Sequence, residues 1–483
     1  MAKNNFKKVN TKLFKYLISI LFLGLLALFY SYKNLDVPMG LTADETAMGY
    51  NAVLLSHNYH DENGRFLPLF VLSNEGTDWK QPITQYYLAI LFKIFSPSLF
   101  LLRFSSVIIV IVSTVLLYKL VRQQQYSIGN SIFGILIFLS TPLIMIQSHM
   151  GLDNIMPIPF ILIWIYFLFK FQKTPKFKYL IISALSLGIT FYTYKGMRAV
   201  FPIWYLITIL YLFIPSKKYF LVFIFSAFAL PFMFISPLIN HLYPGSIFGG
   251  ARPQFDSIYN FIYPYLSSFD PTFLFIKGDE TLYHSTGIHG MFLLSTMPIF
   301  LFGIYSSITK NKNSRFLLAL FFFAPMLYGS VNSVHRASRL MCLIPLYAII
   351  SINGLILIKS IFKKYYILIL AFLLILISAN YIDFLFYYYN TYAKLTQSVV
   401  GDLKPYLSFE YLKNESVKTK LTPYVAKDIS NPFYESIYFP NGITKIHEDR
   451  TPPPKSILLS NRKIIDGMNN INSKMRYYYL QEN

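Results

Sequence analysis

One stretch in the first quarter of the chain decides the fold class. Residues 98–121 read SLFLLRFSSVIIVIVSTVLLYKLV, a run of apolar and small residues with two basic ones. As a helix it is long enough to cross a hydrocarbon core of about 30 Å. About eleven such runs follow one another over the first four fifths of the chain, at 14–32, 98–121, 128–148, 154–171, 178–194, 199–214, 219–240, 290–309, 315–331, 339–358 and 364–387. The sequence therefore predicts an all-α polytopic membrane protein with about eleven transmembrane helices.

The composition supports this prediction. Apolar residues make up 54% of the chain, aromatic residues 18% and charged residues only 13%, a balance that is unusual for a protein surrounded by water. No small-x-small cleavage site follows the first run, so we interpret it as a retained helix. Cys342 is the only cysteine, which excludes an intramolecular disulfide and a cysteine-based metal site.

The basic residues predict the orientation. They gather at the N-terminus and in every second connection between the apolar runs, where they are Lys3, Lys7, Lys8, Lys12, Lys15, Lys119, Arg122, Lys170, Lys173, Lys176, Lys178, Lys217, Lys218, Lys310, Lys312, Arg315, Lys359, Lys363 and Lys364. By the positive-inside rule these segments, including the N-terminus, are cytoplasmic. Such a rim facing anionic lipid headgroups accounts for much of the net charge of +21 without a nucleic-acid partner.

Polar sequence is concentrated in the other connections, which we predict to face outward. The first of these, 33–97, is long and contains a short apolar segment, Tyr86–Phe95, of a length typical of an interfacial helix. A second long outward loop spans 241–289. We therefore divide the chain into a membrane module, residues 1–389, and an outward C-terminal region, residues 390–483, that forms a small domain or a partly disordered extension.

The outward segments carry charged residues that depart from the general pattern. Asp44 and Glu45 form an acidic pair shortly after the first apolar run. Five basic residues lie at or near outward helix ends despite the orienting bias, and these are Arg103, Lys195, Arg198, Arg336 and Arg339. Each could extend to lipid headgroups, but their clustering opposite so many acids favours an anion site. A phosphate fits best, since arginine offers a two-pronged donor and lysine a point charge.

Several motifs together resemble the family 39 type of membrane glycosyltransferase, of the GT-C superfamily. They are Asp44-Glu45-Thr46, Gly49-Tyr50-Asn51-Ala52, His60-Asp61-Glu62-Asn63-Gly64, Asp78-Trp79-Lys80-Gln81-Pro82, Arg103-Phe104-Ser105-Ser106, Tyr192-Thr193-Tyr194, Phe275-Ile276-Lys277-Gly278-Asp279 and His335-Arg336-Ala337-Ser338-Arg339. This family includes protein O-mannosyltransferases and the aminoarabinose transferase that modifies lipid A, and the resemblance points to its prokaryotic branch. It covers roughly residues 14–360 and specifies the family by the order of its elements.

The resemblance implies an enzyme that transfers a hexosyl or pentosyl group, with inversion, from a polyprenyl-phosphate donor to a lipid, glycan or protein acceptor on the outer face of the cell membrane. Asp44 then serves as general base, with Glu45 and Asp153 as further catalytic candidates. The donor phosphate would be bound by Lys80, Arg103, Lys195, Arg198, Arg336 and Arg339. Substrate-lining candidates are Tyr50, Asp78, Tyr192, Tyr194, His284, His289 and His335.

The resemblance also raises the question of a metal. A divalent cation such as Mg²⁺, Mn²⁺ or Zn²⁺ is a candidate cofactor, with Asp44, Asp78 or His289 as candidate ligands, and no organic cofactor is expected. Some relatives have Glu-Lys-Pro where this chain has Trp79-Lys80-Gln81-Pro82. The carboxylate expected there is missing or replaced by Asp78, so the sequence leaves metal dependence open.

Other interpretations remain open at this point. Asp44, Glu45 and Asp153 could instead cap helices, and isolated histidines are usually polar loop residues. A polyprenyl-lipid flippase or transporter would also need many helices and cations, although internal repeats are not evident. A receptor or assembly protein would leave the outward charges unexplained. Within the same superfamily, an oligosaccharyltransferase or polymer ligase is the nearest alternative.

Overall fold

The structure, a computed structural model, describes residues 2–74, 76–216, 218–247, 257–331, 334–396, 405–447, 450–462, 468–472 and 479–482. Within these ranges the helices up to residue 395 are α1 Ala2–Ser31, α2 Ala43–Asn58, α3 Pro82–Ile94, α4 Leu99–Gln123, α5 Ile128–Leu139, α6 Pro142–Ser148, α7 Pro157–Lys173, α8 Phe177–Thr190, α9 Met197–Ser216, α10 Tyr219–Ala229, α11 Pro231–Phe234, α12 Ser236–Leu242, α13 Ile258–Ser267, α14 Met297–Thr309, α15 Lys312–Phe323, α16 Ala337–Leu340, α17 Ile344–Ile361, α18 Tyr366–Tyr387 and α19 Ala393–Leu395.

Short turns of other helix types join these elements. They are 3₁₀ turns at Asp153–Ile155, Leu294–Thr296, Ala324–Val331, Met341–Leu343 and Lys363–Tyr365, and π turns at Thr272–Ile276 and Tyr388–Tyr392. Several proline-initiated helices follow such turns or bends, because proline is tolerated in the first helical turn and not in a helix interior.

The apolar helices coincide in position with the eleven predicted runs. Among the described residues, six helices are long and apolar enough to cross a membrane, or up to eight if each of two bent pairs counts as one span. The bent pairs are Ile128–Leu139 with Pro142–Ser148 and Tyr219–Ala229 with Pro231–Leu242. Three further apolar helices, Leu17–Ser31, Phe177–Thr190 and Leu294–Thr309, are shorter. The six long helices, the two bent pairs and these three shorter helices together occupy the positions of the eleven predicted runs.

Close helix packing holds the bundle together. Helices α14 and α17 approach each other at Gly303 and Gly354, where a Cβ on Gly354 would lie 1.9 Å from the carbonyl oxygen of Ile299. Larger side chains at this crossing would force the two helices apart. Small residues allow the backbones of membrane helices to approach closely and so increase their van der Waals contact. The main apolar core runs continuously through these helices.

The predicted first outward loop is an ordered layer. It contains α2, α3 and an antiparallel hairpin of β1, Val71–Ser73, and β2, Asp78–Lys80. The predicted interfacial helix at Tyr86–Phe95 is α3, which begins earlier, at Pro82. Its apolar positions Leu88 and Phe92 are buried, so the helix packs against protein on that face.

The C-terminal region contains a five-stranded sheet, which the all-α prediction did not include. Helix α20, Pro405–Thr419, and helix α21, Pro432–Tyr438, accompany strands β3 Thr422–Ala426, β4 Thr444–Ile446, β5 Ser456–Ser460, β6 Asn469–Asn472 and β7 Tyr479–Glu482. The strand order is β4-β3-β5-β7-β6. Strand β3 is parallel to β4 and β5, whereas β7 is antiparallel to β5 and β6.

This C-terminal sheet domain docks directly on helix α2. Phe433 of α21 is fully buried and stacks on Phe92 of α3 with ring centroids 6.3 Å apart. Asn431 donates from Nδ2 to the Thr46 hydroxyl at 3.2 Å. A Cβ on Gly49 would lie 2.6 Å from the Phe433 ring, so the absence of a side chain at position 49 is what admits this ring.

Replacing Gly49 with leucine should therefore displace Phe433 and loosen the C-terminal domain. Overpacking of a tight contact costs about 1–3 kcal/mol, and here it falls on the interface between α2 and α21. We expect faster proteolysis of the C-terminal domain in detergent-solubilised Gly49→Leu. The matched control is Gly24→Leu, because a Cβ at Gly24 meets no atom within 4 Å. Equal proteolysis rates for the two variants would contradict this account of the interface.

Candidate functional site

The acidic pair lies at the start of α2, where a capping box fixes the backbone. The Thr42 hydroxyl accepts from the Glu45 amide at 2.9 Å, and the Thr42 amide donates to Glu45 Oε2 at 3.1 Å. This reciprocal arrangement satisfies two amides that the first helical turn leaves without partners. It also turns the Glu45 side chain back toward the protein interior.

Glu45 meets Arg103 of α4 in a fully buried ion pair. Arg103 Nε donates to Glu45 Oε1 at 3.0 Å, and the Gly151 amide donates to the same oxygen at 3.1 Å. Both charged side chains have no exposed surface. Burying the two charges is tolerable because each neutralises the other and their hydrogen-bonding atoms are engaged.

The rest of the Arg103 guanidinium binds backbone carbonyls. It donates to Asn34 at 2.7 Å, to Pro38 at 2.9 Å and to Gly40 at 2.5 Å. The guanidinium is thus enclosed and engaged by protein groups, so the structure gives no support to the prediction that Arg103 binds donor phosphate. Glu45 is likewise engaged by Thr42, Arg103 and Gly151, so the structure gives no support to its predicted catalytic role either.

Asp44, the residue before Glu45, points elsewhere and lines an open cavity of about 270 Å³. Successive helical residues differ by about 100° around the axis, so a buried Glu45 leaves Asp44 free to face this space. The cavity is lined by Asp44, Met48, Asp78, Trp79, Lys80, Leu152, Asp153, Asn154, Tyr194, Lys195, His284 and Ser338. Four of the connections predicted to share one side of the membrane thus meet here, together with His284 from the second long loop.

Four charged residues form a row of ion pairs along one wall of the cavity. Lys80 contacts Asp44 and lies 2.8 Å from Asp78 Oδ2, and Lys195 contacts the other oxygen of Asp78. Lys80 is buried, with 4% of its side chain exposed, whereas Asp44 is 58% and Lys195 45% exposed. The two middle residues of this row, Lys80 and Asp78, are thus held in place, and the two end residues, Asp44 and Lys195, face the open cavity.

The pKa shifts follow from these contacts. Burial disfavours the charged form of Asp78, but Lys80 and Lys195 outweigh it and hold the pKa of this carboxyl below its usual value. Burial also opposes charge on Lys80, yet Asp44 and Asp78 raise the pKa of the ammonium above its usual value. Both groups are therefore ionised at neutral pH.

The opposite wall is mostly neutral and can donate or accept hydrogen bonds. It consists of Asp153, Asn154, Tyr194, His284 and Ser338. Tyr194 donates to the Ser338 hydroxyl at 3.3 Å, and burial raises the pKa of Tyr194 to about 12, so the phenol keeps its proton. In the described part of the chain, no lysine, arginine or histidine forms an ion pair with Asp153.

Other predicted site residues do not line this cavity. Arg198 donates to the carbonyls of Ser246 and Ile247 and to Gln81, so its guanidinium fixes a loop rather than a ligand. Tyr192 is buried and donates to the Phe232 carbonyl at 2.7 Å. Tyr50 packs among the apolar residues between α2 and the C-terminal domain.

The remaining cations and histidines lie in the second long loop and around α16. Arg336 pairs with Asp279 at 3.8 Å, and Arg339 donates to the Val331 carbonyl at 2.9 Å. His289 contacts Asp383, and His335 contacts Asp270. None of these four lines the cavity, so their predicted ligand-binding roles find no support in its geometry.

The residues present do not fit a metal. The ammonium of Lys80 lies between Asp44 and Asp78, where a cation held by these two carboxylates would lie. Within the ranges that the structure describes, no three His, Cys, Asp or Glu side chains are grouped closely enough to hold an ion.

Neutral lining residues were missing from the prediction. Three of these neutral residues are sequence neighbours of predicted site residues: Asn154 follows Asp153, Trp79 precedes Lys80 and Ser338 precedes Arg339. This proximity in sequence is the only feature that could have identified them. Gln147, which is buried behind the cavity and contacts His284, had no signal at all.

The buried pair predicts the effect of changing Arg103. Arg103→Met should lower the stability of the protein by about 3–5 kcal/mol, because it leaves the Glu45 charge buried without its partner. The melting temperature in detergent measures this, and adding Glu45→Gln should recover part of the loss by removing the charge. An unchanged melting temperature in Arg103→Met would instead favour a ligand-binding role.

Comparison with known proteins agrees with this architecture. Residues 80–241 match the model of the dolichyl-phosphate-mannose-protein mannosyltransferase family. ArnT from Cupriavidus metallidurans is similar in structure both bound to undecaprenyl phosphate, with a TM-score of 0.56, and in the apo state, with a TM-score of 0.55. In each case the identity is 10%, and the match covers 96% of this chain and 97% of ArnT.

A second fold relative is the Archaeoglobus fulgidus oligosaccharyltransferase in its apo form. The TM-score is 0.50 at 11% identity, over 89% of this chain and 64% of that one. No curated protein sequence matches the chain. These likenesses confirm the predicted helical membrane fold, and the family match covers residues 80–241 alone.

Proposed function

We propose that the protein transfers a sugar from a polyprenyl-phosphate donor to a hydroxyl of a lipid, glycan or protein acceptor, with inversion at the anomeric carbon. The observation that carries the proposal is the cavity itself. It combines an exposed carboxylate, Asp44, with two lysines, Lys80 and Lys195, in one open space. ArnT, which shares the fold, has been solved bound to undecaprenyl phosphate, and this supports a donor of that class.

The lysine side of the cavity suits the leaving phosphate. In a single displacement the acceptor oxygen attacks the anomeric carbon, and the bond from that carbon to the phosphate oxygen breaks with its electron pair on the phosphate. Negative charge on this oxygen grows during the reaction, and fixed ammonium groups stabilise it more in the transition state than in the ground state. Lys195 is the more accessible of the two, so it makes first contact with the donor.

The acceptor hydroxyl must lose its proton as it attacks. We propose that Asp44 accepts this proton, because its side chain is the most exposed of the four charged groups in the row of ion pairs. Asp153 lies in the same cavity and would orient the acceptor by accepting a hydrogen bond from it. Both roles need only the geometry of the carboxylates and no cofactor.

Orientation in the membrane is part of the proposal. The lysine-rich connections belong on the cytoplasmic side, and the segments that form the cavity alternate with them along the chain. The cavity and the C-terminal domain that docks on α2 would therefore face outward, with the N-terminus in the cytoplasm. A donor in the bilayer could then enter laterally.

Asp44→Asn should lower the transfer rate by about 10²- to 10⁴-fold, the usual contribution of a general base. Purified protein is given radiolabelled polyprenyl-phosphate sugars together with lipid or peptide acceptors, and product is followed over time. Asp428→Asn is the matched control, because Asp428 is exposed in the C-terminal domain and should leave the rate unchanged. Wild-type turnover in Asp44→Asn, or a larger loss in Asp153→Asn, would reject Asp44 as the base.

Lys195→Ala should weaken binding of undecaprenyl phosphate by roughly tenfold or more, because a hydrogen bond to a charged group is worth about 1.5–3 kcal/mol. Binding to protein in nanodiscs measures this directly and does not require turnover. Lys277→Ala is the control, since Lys277 is an exposed lysine that does not line the cavity. The same affinity in both variants would exclude Lys195 from the phosphate site.

A further inference from the structure

Gln147 connects three groups behind the neutral wall of the cavity. This residue of α6 is buried, with 1% of its surface exposed. Its Nε2 lies 3.1 Å from the carbonyl oxygen of Tyr283 and 2.9 Å from Nδ1 of His284. Its Oε1 accepts from Asn154 Nδ2 at 2.9 Å.

The Tyr283 carbonyl decides which way the Gln147 amide faces. A carbonyl oxygen can only accept, so the group 3.1 Å away must be the amide nitrogen and not the amide oxygen. The reverse orientation would place two oxygens against each other. The orientation of Gln147 thus follows from an unambiguous acceptor.

The orientation of Gln147 in turn decides the tautomer of His284. An N–H of the amide points at Nδ1, and a neutral imidazole has one donor and one acceptor nitrogen. Nδ1 must therefore be the acceptor, and the proton lies on Nε2. Among the described residues the imidazole ring of His284 makes no other hydrogen bond, and the ring lines the cavity. The Nε2–H group is the remaining polar group of the ring.

We propose that Gln147 is a positioning residue that holds His284 as a neutral ring with its proton on Nε2, so that His284 donates a hydrogen bond to an acceptor oxygen of the ligand. That oxygen belongs to the sugar or to the phosphate of the donor. His284 is then a binding group and not a proton acceptor. The part of this inference that concerns the ligand rests on the proposed function, whereas the tautomer does not.

The surroundings of His284 agree with a neutral ring. Burial is the largest influence and lowers the pKa of His284, and Arg336 lowers it further. Asp279 and Asp44 act in the opposite direction but do not outweigh burial. Protonation would also require a hydrogen on Nδ1, which would face the N–H of Gln147.

The tautomer can be measured without turnover. In full-length protein labelled with ¹⁵N-histidine in nanodiscs, the signal of His284 is identified by its loss in His284→Phe. We expect the pattern of a ring protonated on Nε2 throughout the neutral pH range. In Gln147→Glu a carboxylate replaces the amide and accepts from Nδ1, so His284 should gain a proton on Nδ1 and its pKa should rise. A wild-type ring protonated on Nδ1, or an unchanged pKa in Gln147→Glu, would overturn the proposal.

Kinetics then test the role of the donor group. His284→Phe removes the N–H and should raise the KM for the polyprenyl-phosphate sugar about tenfold, whereas His284→Asn keeps an N–H and should recover most of the loss. Equal impairment of both variants would reject hydrogen-bond donation. Failure to detect transfer by the wild type would reject the proposed function, while the NMR result would still decide the tautomer.

Discussion

The architecture of the site depends on the buried ion pair between Glu45 and Arg103. An unpaired charge at this depth would be very costly, so the pair forces α2 and α4 to meet at one relative position. The other donors of Arg103 bind the carbonyls of Asn34, Pro38 and Gly40, which fixes the chain that enters α2. The Gly151 amide joins the same carboxylate, so the segment that carries Asp153 is held to the same anchor.

Helix α2 is also held from its other side. Phe433 occupies the space that Gly49 leaves open, and Asn431 contacts Thr46 only two residues from Asp44. The C-terminal domain therefore contributes to the position of the carboxylate even though none of its described residues lines the cavity. Precision in a site of this kind comes from the packing around its residues, and here that packing comes from both parts of the chain.

The sequence revealed charged residues more readily than their partners. Topology grouped Asp44, Lys80, Asp153 and Lys195 on one side, and the structure brings them into one cavity. The same reasoning placed Arg103 and Arg198 in a phosphate site, because backbone carbonyls, which bind both residues, leave no mark on the sequence. Neutral residues such as Gln147 were missed since buried amides have no characteristic spacing. The strands of the C-terminal domain escaped notice for a similar reason: β5 is five residues long and wholly buried, so it lacks the alternation by which half-buried strands are recognised.

The row of ion pairs suggests how binding of the donor affects the contacts of Asp44 in the proposed reaction. Before the donor arrives, Lys80 engages Asp44 and Asp78, and Lys195 engages Asp78. A phosphate that enters the cavity competes for the same lysines, and each contact that Lys80 makes with phosphate weakens its hold on Asp44. In the proposed reaction, donor binding would therefore release Asp44 from its contact with Lys80, because both interactions depend on the same ammonium group.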